Sequence, residues 1–227
     1  MAFQSVKTLV EAAGARPLWE AVLEDDLRDR GGERAGSWRR MSGLWLAMKA
    51  AAEGYDGALR SASGLTGGAG ARMAAAAETL CGPFIQDVIA TALKTGECNA
   101  CMGRIVAAPT AGASGVMPAV LLPVQKKYSL NDETMVQALY VAAGFGQVIA
   151  TRASISGAEG GCQAEVGSAS AMAAAALVHL RGGAPEQMAA ACAMAIKNLL
   201  GLVCDPVAGL VEVPCVKRNV IGAVNAI

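Results

Sequence analysis

The chain has 227 residues, with 19 basic and 19 acidic side chains and a single histidine, a length that suits one well-buried core. Zero formal charge removes the basic stripe that a nucleic-acid backbone calls for, so nucleic acid is not an expected partner. With 54% hydrophobic but only 4% aromatic residues the interior must be built from Ala, Val, Leu and Met, leaving two classes open: an apolar helical protein or a polytopic membrane protein.

The opening stretch, MAFQSVKTLVEAAGA, has no basic region followed by an apolar block. No secretory signal is read there, and a cytoplasmic location is expected. Glu11 to Arg30 reads as an amphipathic helix, and the charged DRGGERAGSWRR that follows reads as a turn. A helix is expected through GLWLAMKAAAEGY, capped by Ser42 and ended by Gly54. After the loop SASGLTGGAGARM comes a helix over 71–93, interrupted where Pro83 removes a backbone donor.

Next is the long irregular segment GECNACMGRIVAAPTAGASGVMPAVLLP, in which Gly103 to Ala108 could be extended and Pro118 starts a helix. Ile105 to Gln125 and Thr134 to Thr151 are long enough and uncharged enough to raise the question of a membrane. Pro109, Pro118 and Pro123 break the first as a spanning helix, while Gly144, Gly146, two glutamines and a tyrosine make the second a buried helix. No membrane insertion is expected.

Asn131 or Asp132 caps that second helix, and SISGAEGGC forms a glycine loop leading into an Ala-rich helix over 163–180. In GGAPEQMAAACAMAIKNLLG, Pro185 opens a helix, Glu186 meets its positive end and Gly201 follows its last turn. No strand alternation is convincing, so the expected fold is mostly α: a single helical domain with long glycine-rich loops.

Seven cysteines, at 81, 98, 101, 162, 192, 204 and 215, are an odd number, and metal or redox chemistry accounts for them better than disulfides. Cys98 and Cys101 form one C-x-x-C, a spacing that suits zinc or thiol exchange but specifies neither without a second pair. Cys81 and Cys192 read as packing inside apolar helices. Cys162, Cys204 and Cys215 lie in the loop contexts GGC, CDPVAG and EVPC, where glycines and prolines fix the backbone beside a sulfur. Three thiolates would leave one iron of a four-iron cluster open as a Lewis acid; three unrelated loop cysteines are the competing reading.

The stretches GRIVAAPTAGASGVMPAVL, SGAEGGCQAEVGSASAMAA and MAIKNLLGLVCDPVAGLVEVPCVKRNVIGAVNA, with RSASGLTGG near Ser61, resemble the catalytic α chain of the bacterial iron–sulfur L-serine dehydratases. The 42- and 11-residue separations of the three cysteines agree with that family. The resemblance implies that Cys162, Cys204 and Cys215 hold a [4Fe–4S] cluster, and that water is eliminated from L-serine to give pyruvate and ammonia. It also implies an oligomer with a separate β chain, since the Ser-Ser-His-Thr type segment of single-chain members is not found. Family α chains continue past VNA, so truncation at the C-terminus is expected.

For the remaining roles the residues leave choices. In PTAGASG, Thr110, Gly112, Ser114 and Gly115 can present amides and hydroxyls to a carboxylate, with a purely structural turn as the alternative. Lys197, Asn198, Lys217, Arg218 and Asn219 flank the cysteines; Lys197 is a candidate for catalysis, and Asn198 and Arg218 for substrate binding. Glu159 and Glu165 bracket Cys162, and either could act as base or orient an ammonium group. His179, at a helix end, reads as a cap or surface residue. Another cluster-dependent hydro-lyase acting on a β-hydroxy acid, or a non-catalytic helical binding protein, are the rival functions.

Overall fold

The computed structural model describes residues 3–77 and 79–227, which form ten α-helices and no strand. The expected single long helix at the N-terminus is two helices. α1 (Val6–Ala13) is capped by the Ser5 hydroxyl, which accepts from the Thr8 amide, and ends at Gly14 with φ +56°; α2 (Leu18–Arg30) begins after Pro17. α3 (Arg34–Glu53) starts well before Ser42, so most of the charged segment is helical and Ser42 is not a cap. Its early residues are needed in the core: the Ser37 hydroxyl lies 2.7 Å from that of Tyr140, and Trp38 stacks on the Tyr140 ring.

Pro83 opens a helix rather than interrupting one, because α4 (Ala69–Ala75) has already ended when α5 (Gly82–Ala100) begins. α5 runs through Glu97 and Cys98, shortening the irregular segment to 101–115, in which no strand forms. Then come α6 (Val116–Tyr128) and α7 (Asp132–Arg152), where Asn131 caps by accepting from the Thr134 amide at 2.8 Å. Among the described residues α7 is the one helix long and apolar enough to cross a membrane, and most of its apolar length is buried inside the protein.

α8 (Gly157–Leu180) is the centre of the molecule. It packs against α6, α7, α9 (Pro185–Asn198) and α10 (Glu212–Ala226), and its alanines 169, 171, 173, 175 and 176 are fully enclosed. A helix surrounded on all sides has no reason to show an amphipathic stripe. Small residues bring the backbones together. A methyl group at Gly222 of α10 would stand 2.6 Å from a Val166 methyl of α8, so those helices meet at a distance only glycine allows.

Candidate functional site

Three segments converge at one end of α8. The first is made by Gly161, whose φ of +70° and ψ of −166° break the helix and leave Cys162 at the start of its straight, buried part. That backbone region is essentially closed to other residues. Gly161 also receives the second segment: a Cβ there would lie 3.1 Å from the Cys204 nitrogen and from the Val203 Cα. The contact is secured on both sides, since the Gln163 amide donates to the Leu202 carbonyl and its side-chain carbonyl accepts from the Gly201 amide, each at 2.8 Å.

Cys204 is exposed in the loop between α9 and α10. Beyond it Val207 and Leu210 exchange two backbone hydrogen bonds of 2.9 Å around Ala208 and Gly209, both at positive φ, which closes a tight hairpin turn. The third segment is α10. Cys215 lies in its first turn and not in a loop, with its carbonyl accepting from Asn219 at 2.7 Å.

The thiols sense one another. Burial pushes the Cys215 thiol up to about 11, and the charges of Cys162, Glu165 and Cys204 add to it. Cys162 is likewise raised by burial, against which the hydrogen-bonding guanidinium of Arg218 works. Among the described residues no three His, Cys, Asp or Glu side chains are grouped to hold a single metal ion.

The PTAGASG loop comes to the same place through Asn219, which is 1% exposed. Its carbonyl accepts from the Gly115 amide and its amide donates to the Gly112 carbonyl, both at 2.8 Å. Glu165, one turn after Cys162, lies against this loop: a Cβ on Gly112 would be 3.0 Å from its carboxylate. Within the loop the hydroxyls of Thr110 and Ser114 are buried and have no hydrogen-bond partner among the described residues. Two buried hydroxyls with no partner among the described residues, on a loop that a carboxylate touches, are costly in a finished core and useful in a binding site.

A further loop, SASGLTGG, braces the start of α10. Ser63 donates to the Glu212 carboxylate at 2.6 Å and Thr66 to the same oxygen at 3.4 Å, and hydroxyl hydrogen bonds from Ser61 and Ser63 hold the Glu212 carboxyl below its usual range. The loop is anchored by Glu97, 2% exposed, which accepts from the Ala69 and Gly70 amides at 2.9 and 3.0 Å and from the Tyr55 hydroxyl at 2.5 Å. Neither acid stood out in the sequence, because their partners are remote along the chain.

Other candidates lie elsewhere. Glu159 is exposed on the short turn before the Gly161 break, accepting from Ser154 at 2.5 Å. Lys197 is exposed in the last turn of α9. Asn198 donates to Asn225 at 3.1 Å, ten residues and about 15 Å along α10 from Cys215. Cys98 and Cys101 end α5, where burial raises both thiols. Cys192 is buried in α9 and pushed up to about 12, whereas Cys81 is exposed at the N-cap of α5 rather than packed within a helix. His179, in the last turn of α8, is lowered by burial.

A family profile described as serine dehydratase alpha chain matches residues 14–227 of this chain. The chain belongs to that family. It is 46% identical over 230 residues to the probable L-serine dehydratase alpha chain of Bacillus subtilis, covering 99% of this chain and 76% of the relative. The corresponding protein of Latilactobacillus sakei is 57% identical over 141 residues, 62% of this chain and 68% of that one. The L-serine dehydratase alpha chain of Peptoniphilus asaccharolyticus is 53% identical over 149 residues, 66% of this chain and 51% of its own length. The matched residues include the segments around Cys162, Cys204 and Cys215, which the fold gathers at the broken end of α8.

Proposed function

We propose that this chain is the catalytic subunit of an L-serine dehydratase, removing water from L-serine to give pyruvate and ammonia, with Cys162, Cys204 and Cys215 holding a [4Fe–4S] cluster. The observation that carries the reading is the convergence of these three thiols beside Glu165 and two unsatisfied hydroxyls, in a chain whose relatives bear that activity in their names. The donor set fits such a group. Three thiols can satisfy three irons of four, and the glycine break at Gly161 gives the sulfur of Cys162 and the Cys204 backbone room to approach. When bound, the cluster supplies a Lewis-acidic iron for the departing hydroxide.

The chain's own residues supply the rest. Thr110 and Ser114 donate their free hydroxyl protons to the substrate carboxylate, and the Asn219 hydrogen bonds keep their loop in place. Glu165 takes the α-proton, being the acid that both faces the thiols and touches the PTAGASG loop. Lys197, Asn198 and Glu159 have no step in this scheme. Loss of water leaves aminoacrylate, which tautomerises and hydrolyses in solution. A separate β chain completes the enzyme, as the alpha-chain designation of the family implies.

The test is anoxic reconstitution followed by iron and sulfide analysis, then a pyruvate assay with the β chain on L-serine, L-threonine and D-serine. About four irons and four sulfides per chain are expected, lost on Cys→Ser change at 162, 204 or 215 and retained at 81, 98, 101 and 192. A colourless protein after reconstitution sinks the cluster, and turnover of a β-hydroxy acid without L-serine turnover sinks the substrate.

A further inference from the structure

Arg218 looks from the sequence like a residue for the substrate carboxylate, but its guanidinium is occupied by the protein. The side chain is 11% exposed. One of its NH groups donates to the Val203 carbonyl, and another pairs with the Asp205 carboxylate at 2.7 Å. The guanidinium also faces Cys162, whose thiol it lowers against the upward push of burial. Val203 and Asp205 are the residues on either side of Cys204, and Arg218 itself stands one turn beyond Cys215 on α10. A single side chain therefore ties both flanks of Cys204 to the helix that carries Cys215, with its charge toward Cys162.

Such a junction suits arginine. A planar fork of five donors can hold a carbonyl, a carboxylate and a sulfur at once, whereas a lysine ammonium acts as one point charge on a flexible stem. The Cys204 loop depends on ties of this kind, because residues 203–211 are exposed throughout and the close approach to Gly161 holds only its first residues. Its hairpin turn, made by Val207 and Leu210, orders only its far end.

The geometry points to Arg218 as the positioning residue of the thiol trio: it fixes the Cys204 loop against α8 and α10, so that the three sulfurs face one place, and it does not bind substrate. The inference rests on the proposed cluster site for its purpose, while the holding of the loop is a property of the chain alone. Asp205 shares the task as the carboxylate of the clamp, which gives a function to the acid that follows Cys204.

The test compares Arg218→Gln, Arg218→Lys and Asp205→Asn with the unaltered chain, each with two readouts. Hydrogen exchange of the 201–207 backbone, measured without iron, should run about tenfold faster in Arg218→Gln while α8 and α10 keep their protection, with Arg218→Lys in between. Iron and sulfide after anoxic reconstitution should fall at least about threefold in Arg218→Gln and recover in part with lysine. The fraction that does load should keep its KM for L-serine in the presence of the β chain. Unchanged loop exchange and iron content together with a KM raised about tenfold overturns the proposal and returns the guanidinium to the substrate. Should Arg218→Gln fail to fold, Asp205→Asn decides: it removes one arm of the clamp from an exposed loop, and unaltered exchange there counts against the idea. If the unaltered chain itself takes up no iron, the cluster reading falls, and the exchange comparison still decides whether Arg218 holds the loop.

Discussion

Glu212, the first residue of α10, accepts a 2.6 Å hydrogen bond from Ser63, a residue 149 positions earlier in the chain. This short contact joins the SASGLTGG loop to the helix that carries Cys215, Arg218 and Asn219. Its carboxylate also sits at the positive end of α10, where a negative charge is favoured. Ser63→Ala and Glu212→Gln should each loosen the 61–66 loop, and the double change should add little to Glu212→Gln alone, which already removes the Ser63 tie along with that of Thr66. Limited proteolysis of the loop, with cleavage rates compared across the four proteins, checks this; additive effects would mean that the two residues act independently.

Gly161→Ala should be costly for two separate reasons. Its φ of +70° and ψ of −166° suit glycine, and the new methyl would stand 3.1 Å from the Cys204 nitrogen. Backbone strain of this kind costs about 2 kcal/mol, and the Cys204 loop would have to withdraw from α8. Chemical unfolding and iron uptake measured on the same preparation should fall together.

Ser114→Ala is expected to separate stability from function. The Ser114 hydroxyl is buried, 1% exposed and without a partner among the described residues, so its removal should stabilise the chain by about 1 kcal/mol. The same change should raise KM for L-serine with the β chain present, because a carboxylate contact is lost. A destabilised Ser114→Ala protein would show that the hydroxyl already has a structural partner.

The Tyr55–Glu97 pair predicts an alkaline effect. Burial and the adjacent carboxylate push the Tyr55 phenol up to about 12, above its ordinary value of 10.0. A raised folded value means the stabilisation is complete below the unfolded value and disappears as the pH climbs from there through about 12. Thermal melts of the unaltered chain and Tyr55→Phe should therefore converge at high pH and differ near neutrality, with the phenylalanine variant less stable by about 1.5 kcal/mol for a lost hydrogen bond to a buried charge. A constant gap across that range would separate the bond from the titration.

What the sequence disclosed was local. Asn131 as a cap, Pro185 at a helix start and Gly201 past a helix end are signals read within a turn, and each sits as read. α3 escaped because Glu33 makes no side-chain cap, and its charged opening is drawn into a helix by the burial of Ser37 and by the stacking of Trp38 on Tyr140. The kink at Gly161 looked like an ordinary glycine loop, since nothing nearby tells a loop from a broken helix. Asn219 and Glu97 were passed over as binding or bracing groups for a different reason: Asn219 bonds across 104 and 107 positions, and Glu97 across 42, 28 and 27. A side chain's partner at that separation is set by the tertiary fold and leaves no spacing to read.

The alanine saturation of α8 has its own consequence for how the molecule is ordered. Alanine has no rotamers to lose when it is enclosed, so packing this helix exacts almost none of the side-chain entropy that an interior of leucine or methionine would. The same small groups leave the surrounding helices no slack into which they could reorganise. The end where the cysteine segments meet is ordered by other means, through individual hydrogen bonds of Gln163, Asn219 and Arg218 rather than by close-packed methyl groups.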